Sequence, residues 1–305
     1  MRKTLVLGGG ISALTYLLYN PDAMALAGEV AGIGGMFRTK PNFGPQYLWA
    51  DKWVGRLLKK LRLNDSTRMI RVGVMSGRRV YKPEDELPAG MMVKYAAKTR
   101  GYYAPVKESY MSGGKRTYPV YITTPADIVA VIHNRVEHQL VRLPALEINT
   151  RKRTAFHGAG GVGAYKYDRL VSTIPAPVFT LIAGVPGRGK LAGANKYYAV
   201  LPIKQCDLAV QRANREGLHY LYCPEMDVPW HRITFLNDNA IFEFTLNEPC
   251  KKKFTEVYTQ YNGQILSGAE ILKQVPKSVE FLGRYAQWDH SIKYNNVVQK
   301  IMEGK

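Results

Sequence analysis

Thr4-Leu5-Val6-Leu7-Gly8-Gly9-Gly10-Ile11-Ser12-Ala13 decides how the rest of the chain is read. A short apolar run of strand formers enters a G-x-G-x-x-A turn, and Ser12 to Tyr19 has the apolar content of a buried helix. The small residues each have a task in a strand–turn–helix unit that holds a dinucleotide. Gly8 permits the tight turn, Gly10 lets a pyrophosphate approach the backbone, and Ala13 lets helix and strand pack closely. N–H groups at the helix start, around Ser12, face the anion. A second strand-like run, Met24 to Ala27, leads to Glu29, about 20 residues past the first glycine, where a carboxylate accepts hydrogen bonds from an adenosine ribose. Glycine turns between strand and helix are common, and the spacing to Glu29 favours the nucleotide reading.

Gly34-Gly35-Met36-Phe37-Arg38-Thr39 follows. It resembles the G-G-R-x-x-[ST] element of FAD enzymes of the amine oxidase and UDP-galactopyranose mutase superfamily. Met36 stands where that pattern carries arginine, and Arg38 is the cation expected to supply the charge. In that superfamily a Gly-Pro pair such as Gly44-Pro45 lies close to the flavin, so the resemblance implies that both line the ring. Tyr167-Asp168-Arg169-Leu170-Val171-Ser172-Thr173-Ile174-Pro175 resembles the strand by which such proteins return to the nucleotide domain. Gly283-Arg284, then Trp288 and Asp289, resemble the final strand and loop that meet the flavin and its diphosphate. The resemblance places Arg284 on phosphate or a flavin carbonyl, and Trp288 and Asp289 at the flavin edge. Asp227-Val228-Pro229-Trp230-His231-Arg232-Ile233 resembles a mutase segment that enters the active site, which makes His231 and Arg232 candidate catalytic residues, joined by Trp288 from the flavin edge.

The resemblance implies FAD as cofactor and a doubly wound α/β, Rossmann-like FAD-binding domain built from 1–50, 120–185 and 265–305. A reduced substrate domain containing antiparallel sheet is expected from the insertions 51–119 and 186–264. The pattern of the second insertion agrees: 197–201, 218–223, 232–236 and 240–246 alternate as strands do. Earlier, Val54, Leu57, Leu58 and Leu61 share one helical face between Trp53 and Leu63. Thr124-Pro125-Ala126-Asp127 carries the entry signals of a helix running to about Arg135. Gly184 to Leu191 lacks the hydroxyl of a P-loop and reads as a linker.

Composition adds a partner. With 43 Lys+Arg against 24 Asp+Glu the formal charge is +19, which predicts salt-sensitive attraction to a polyanion such as nucleic acid or to an anionic membrane surface. Met91 to Tyr118 interleaves cations with aromatic rings, and Lys94, Lys98, Arg100, Tyr102 and Tyr103 are its candidate nucleic-acid contacts, phosphates on the cations and bases on the rings. Ordinary cores and sugar sites also hold tyrosine-rich segments. Three widely spaced cysteines form no C-x-x-C, and His133 and His138 do not share a helical face, so no metal is assigned and a cytoplasmic setting is expected. No stretch has the length of a membrane-spanning helix.

These readings converge on an FAD-dependent oxidoreductase or lyase acting at a C–N bond of an amino-modified base in DNA. This resembles bacteriophage flavoenzymes that remodel hypermodified thymines, which would place the protein in a host cytoplasm. The alternatives are a sugar-nucleotide mutase and a flavin-bearing nucleic-acid-binding protein.

Overall fold

The computed structural model describes residues 3–28, 33, 47–100, 116–158, 163–186, 191–245, 248–289 and 291–304. The chain forms two compact units, one of 1–66, 121–192 and 267–305, the other of 67–120 and 193–266.

The first unit is built on a parallel sheet in the order Val279–Phe281, Arg169–Ser172, Thr4–Leu7, Met24–Leu26, Leu140–Val141. Leu5, Val6 and Leu7 are all buried, because a central parallel strand is covered on both faces and reads as a continuous apolar run. On one face the helix Ile11–Tyr19 packs with Pro125–Val136 and Tyr294–Met302. The other face shares a core with an antiparallel sheet of Ala145–Asn149, Thr154–His157 and Gly163–Lys166. Pro125–Val136 opens with a capping box in which Thr124 accepts from the Asp127 backbone N–H and Asp127 accepts from that of Thr124, as its entry signals predict.

One boundary differs from the expectation. The helix Lys52–Leu61, capped by Asp51, buries Val54, Leu57, Leu58 and Leu61 in the core of the first unit. Its apolar stripe matches the helices beside Val6 and Leu17, so residues 51–66 belong with the nucleotide-type sheet and not with the insertion.

The second unit carries a mixed sheet in the order Glu256–Ser267, Ala192–Pro202, Asn239–Phe244, Trp230–Leu236, Tyr220–Tyr222, Thr67–Ser76, Thr117–Tyr121, with Arg79–Tyr81 hairpinned onto Thr67–Ser76 at Gly77. One face is an apolar core of Leu221, Ile233, Phe242 and Phe244 around the helix Leu208–Arg215. The other face is polar and aromatic. Among the described residues no helix is long and apolar enough to cross a membrane.

Candidate active site

In the first unit the registers Leu7↔Ser172 and Ser172↔Phe281 align Gly8, Thr173 and Leu282 along the carboxyl edge of the parallel sheet, the edge at which open α/β sheets bind ligands. Gly8 has φ +107°, and a Cβ there would stand 2.6 Å from Thr173 Oγ1, so no L side chain fits without strain. The Thr173 hydroxyl donates to the Leu7 carbonyl at 2.8 Å and holds that turn closed. Gly10 differs. It is the extended N-cap of Ile11–Tyr19, and among the described residues no side chain caps that helix start and a Cβ on Gly10 would meet nothing within 4 Å. Protein packing does not require glycine there, whereas close approach of a phosphate does. Gly283, at φ +102°, places its missing Cβ 2.9 Å from Ser12 Oγ, which brings the two chain ends together at the same helix start. Ala13 is fully buried behind it. This cradle fits a dinucleotide.

The residues after Gly283 make contacts of their own within the protein. Arg284 spends its Nε–H on the Ile292 carbonyl at 2.9 Å. Asp289 is exposed, and its Oδ1 accepts from the Ser291 N–H and hydroxyl at 2.8 Å, so it shapes the turn before the last helix. Trp288 is only 2% exposed, with φ +52°.

In the second unit the polar face centres on Glu243. This acid pairs in register with Arg232 across antiparallel strands, and a bulge between Trp230 and Arg232 re-aims His231. In a regular strand His231 and Arg232 would point to opposite faces; here both reach the same carboxylate. Glu243 binds Arg232, Lys196 at 2.6 Å and His231 Nε2 at 3.2 Å. Burial opposes ionisation of Glu243, yet Arg232, Lys196 and His231 outweigh it and hold the carboxyl well below the usual range. For His231 burial wins over the attraction of Glu243, and its pKa falls to about 4. The imidazole is therefore neutral at pH 7, donates from Nε2 to Glu243, and keeps a lone pair on Nδ1. His231 Nδ1 and Arg232 Nε are buried without a hydrogen-bond partner among the described residues.

Rings surround this cluster. The Arg232 guanidinium lies 5.3 Å from the Tyr220 centroid, Tyr95 meets Tyr222 edge-on at 4.8 Å, and Tyr198 pairs in register with Glu243. His231 and Glu243 are buried, whereas the Arg232 and Lys196 side chains are 20% and 15% exposed. Arg232 thus reaches the surface, whereas His231 is buried beside it. Glu243 and Lys196 were not expected. The available signal was a lone charge in the apolar run Ala240-Ile241-Phe242-Glu243-Phe244, since a charge in a buried strand is retained only with partners.

One candidate of the nucleic-acid tract, Lys98, is placed differently from the expectation. Met91–Arg100 is a helix, and the Lys98 ammonium is buried, donating to the carbonyls of Cys223 at 3.0 Å, Glu225 at 2.5 Å and Trp230 at 2.7 Å. Burial pushes its pKa down. Lys98 ties strand ends together and is not a phosphate contact; Lys94, on the same helix, is exposed. Glu29, Gly34, Gly35, Met36, Arg38, Thr39, Gly44, Pro45, Tyr102, Tyr103 and the side chain of Arg100 lie outside the described residues. Among the described residues no group of His, Cys, Asp and Glu side chains is arranged to hold a metal ion.

No family model and no curated protein matches the chain. Solved structures do. Reduced UDP-galactopyranose mutase superimposes with a TM-score of 0.72 at 12% identity, over 100% of this chain and 92% of the mutase. The fold is shared. A fatty acid isomerase from P. acnes that produces CLA matches with a TM-score of 0.66 at 11% identity, over 99% of this chain and 97% of its own. Cyclohexylamine oxidase from Brevibacterium oxydans IH-35A gives 0.65 at 10%, over 99% and 97%. At such identities the likeness establishes a mixed α/β architecture with parallel and antiparallel sheets, as expected from the sequence.

Proposed function

We propose that the protein is an FAD-dependent oxidoreductase or lyase acting at a C–N bond of an amino-modified base in DNA. Gly8, Gly10, Ser12, Ala13 and Gly283 would hold the diphosphate of the cofactor, with Glu29 on its ribose and Gly34, Gly35, Arg38, Thr39, Gly44 and Pro45 toward the ring. When bound, the flavin supplies the capacity to accept a hydride. The chain's own residues bind and orient.

The observation that carries the substrate reading is the charge balance of the polar face. Arg232 already has a counter-ion in Glu243 and shares it with Lys196, so two cations on one carboxylate leave a single net positive charge, and Tyr220 and Tyr222 lie beside Arg232. A sugar-nucleotide mutase needs guanidinium groups left over for a diphosphate, whereas aromatic faces beside a satisfied arginine suit a flat, weakly charged base. Glu243 fixes the plane of the guanidinium, and neutral His231 adds no competing charge. Cyclohexylamine oxidase and putrescine oxidase, whose names describe amine oxidation, share the fold, which supports a C–N bond as the target.

The test is anaerobic titration of the purified, FAD-loaded protein with an oligonucleotide carrying an amino-modified thymidine, followed by visible absorption, alongside a UDP-sugar. Bleaching by the oligonucleotide alone is expected. Turnover of the UDP-sugar after dithionite reduction, with no bleaching by DNA, would establish the mutase reading instead.

A further inference from the structure

At the opposite edge of the parallel sheet from Gly8, the first residues of its strands open onto a groove of about 1150 Å³ lined by Thr4, Arg169 and Val279 and by residues from 153 to 300. Five cations line it, Arg153, Arg169, Lys273, Lys277 and Lys300, against two carboxylates, Asp168 and Glu280. Both carboxylates are occupied. Asp168 accepts the Lys3 backbone N–H at 2.7 Å, and Glu280 binds both Arg169 and Lys300, the latter at 3.0 Å. Arg153, Lys273 and Lys277 are exposed and have no acidic partner among the described residues.

We infer that this groove grips the phosphate backbone of a nucleic acid strand, at a site separate from the dinucleotide cradle. A protein with a formal charge of +19 attracts any polyanion, but a grip needs uncompensated cations gathered along a channel, and here three of them stand in one. The groove is open to solvent rather than enclosed, which suits a chain passing through more than a sequestered small ligand. Glu280 holds Arg169 and Lys300, leaving the exposed Arg153, Lys273 and Lys277 to neutralise phosphates. The inference deepens the DNA reading above and rests on it for the class of partner.

The test is fluorescence anisotropy of an unmodified, labelled single-stranded 20-mer against the full chain over a salt series. The variant Lys273→Glu/Lys277→Glu is compared with Lys252→Glu/Lys253→Glu, which makes the same charge change on the exposed turn Lys251–Lys253 of the other unit. The groove variant should bind roughly tenfold or more weakly at 0.1 M salt and lose about 1–2 from the slope of log K on log salt, while the control stays near wild type. Equal loss in both variants would reduce the effect to net charge, and unchanged binding in the groove variant would place the contact elsewhere; either overturns the grip. A free amino-modified nucleoside needs no grip and should bleach the flavin equally in wild type and groove variant. If the wild type binds the 20-mer through the groove yet no amino-modified substrate bleaches the flavin, the reaction proposed above fails while the grip stands.

Discussion

Gly8 and Gly10 sit two residues apart, yet the structure assigns them opposite reasons to be glycine, and alanine at each separates folding from cofactor binding. At Gly8 the backbone has φ +107° and the new methyl would stand 2.6 Å from Thr173 Oγ1, so Gly8→Ala should cost about 1–3 kcal/mol of stability from backbone strain alone. At Gly10 the backbone is extended, with φ −74° and ψ 177°, and among the described residues nothing lies within 4 Å of the new methyl. Gly10→Ala should therefore fold within about 1 kcal/mol of wild type, because a stiffer unfolded chain offsets the poorer helix capping by alanine. Its methyl instead occupies the approach of a phosphate to the helix start. Losing one hydrogen bond to a charged group there costs about 1.5–3 kcal/mol, a factor of roughly 10–100 in Kd. Urea unfolding with and without FAD reads both effects. At an FAD concentration of 100 times the wild-type Kd, wild type should gain about 2.7 kcal/mol, and Gly10→Ala only about 0.4–1.4 kcal/mol. If Gly10→Ala kept the full gain, or unfolded as readily as Gly8→Ala without FAD, the division of labour argued for these glycines would be wrong.

Other substitutions address the second unit. Glu243→Gln keeps the shape but strands Arg232 and Lys196 without a counter-ion, and should cost about 3–5 kcal/mol in chemical denaturation; in a double-mutant cycle with Arg232→Gln, a coupling energy below about 0.5 kcal/mol would refute the pairing. Because the folded pKa of His231 lies near 4, below its ordinary value, the unfolded chain takes up the proton first as pH falls. Stability present above about pH 6.5 should decline by up to about 1.4 kcal/mol per pH unit, about 3 kcal/mol in all, on going down to pH 4. His231→Gln should remove that slope from pH-dependent urea midpoints. Glu243, held below the ordinary carboxylate range, adds a further loss at still lower pH. Lys98→Met should lose at least about 1–3 kcal/mol by leaving buried carbonyls unsatisfied, while leaving affinity for a labelled oligonucleotide unchanged in the variant that remains folded.

The local signals in the sequence were sufficient for much of the frame of each unit. The apolar run Thr4–Leu7, the glycines behind it, the Thr124–Asp127 capping box and the alternation after residue 196 each concern neighbours within a few positions. Backbone sterics, capping and period-two burial act at that range, so these elements are where the pattern placed them. Tertiary structure alone decided what spans the chain. Glu243 meets Lys196 across 47 residues, and only strand register and the bulge at His231 bring three basic side chains to one acid. Lys98 reads as a free cation until carbonyls more than a hundred residues away enclose it, and the groove collects charge from residues 153 to 300. Periodicity tells a side chain which face it shares with its own segment; which foreign segment lies opposite depends on how strands and helices pair, and the charge of each site is set by that pairing.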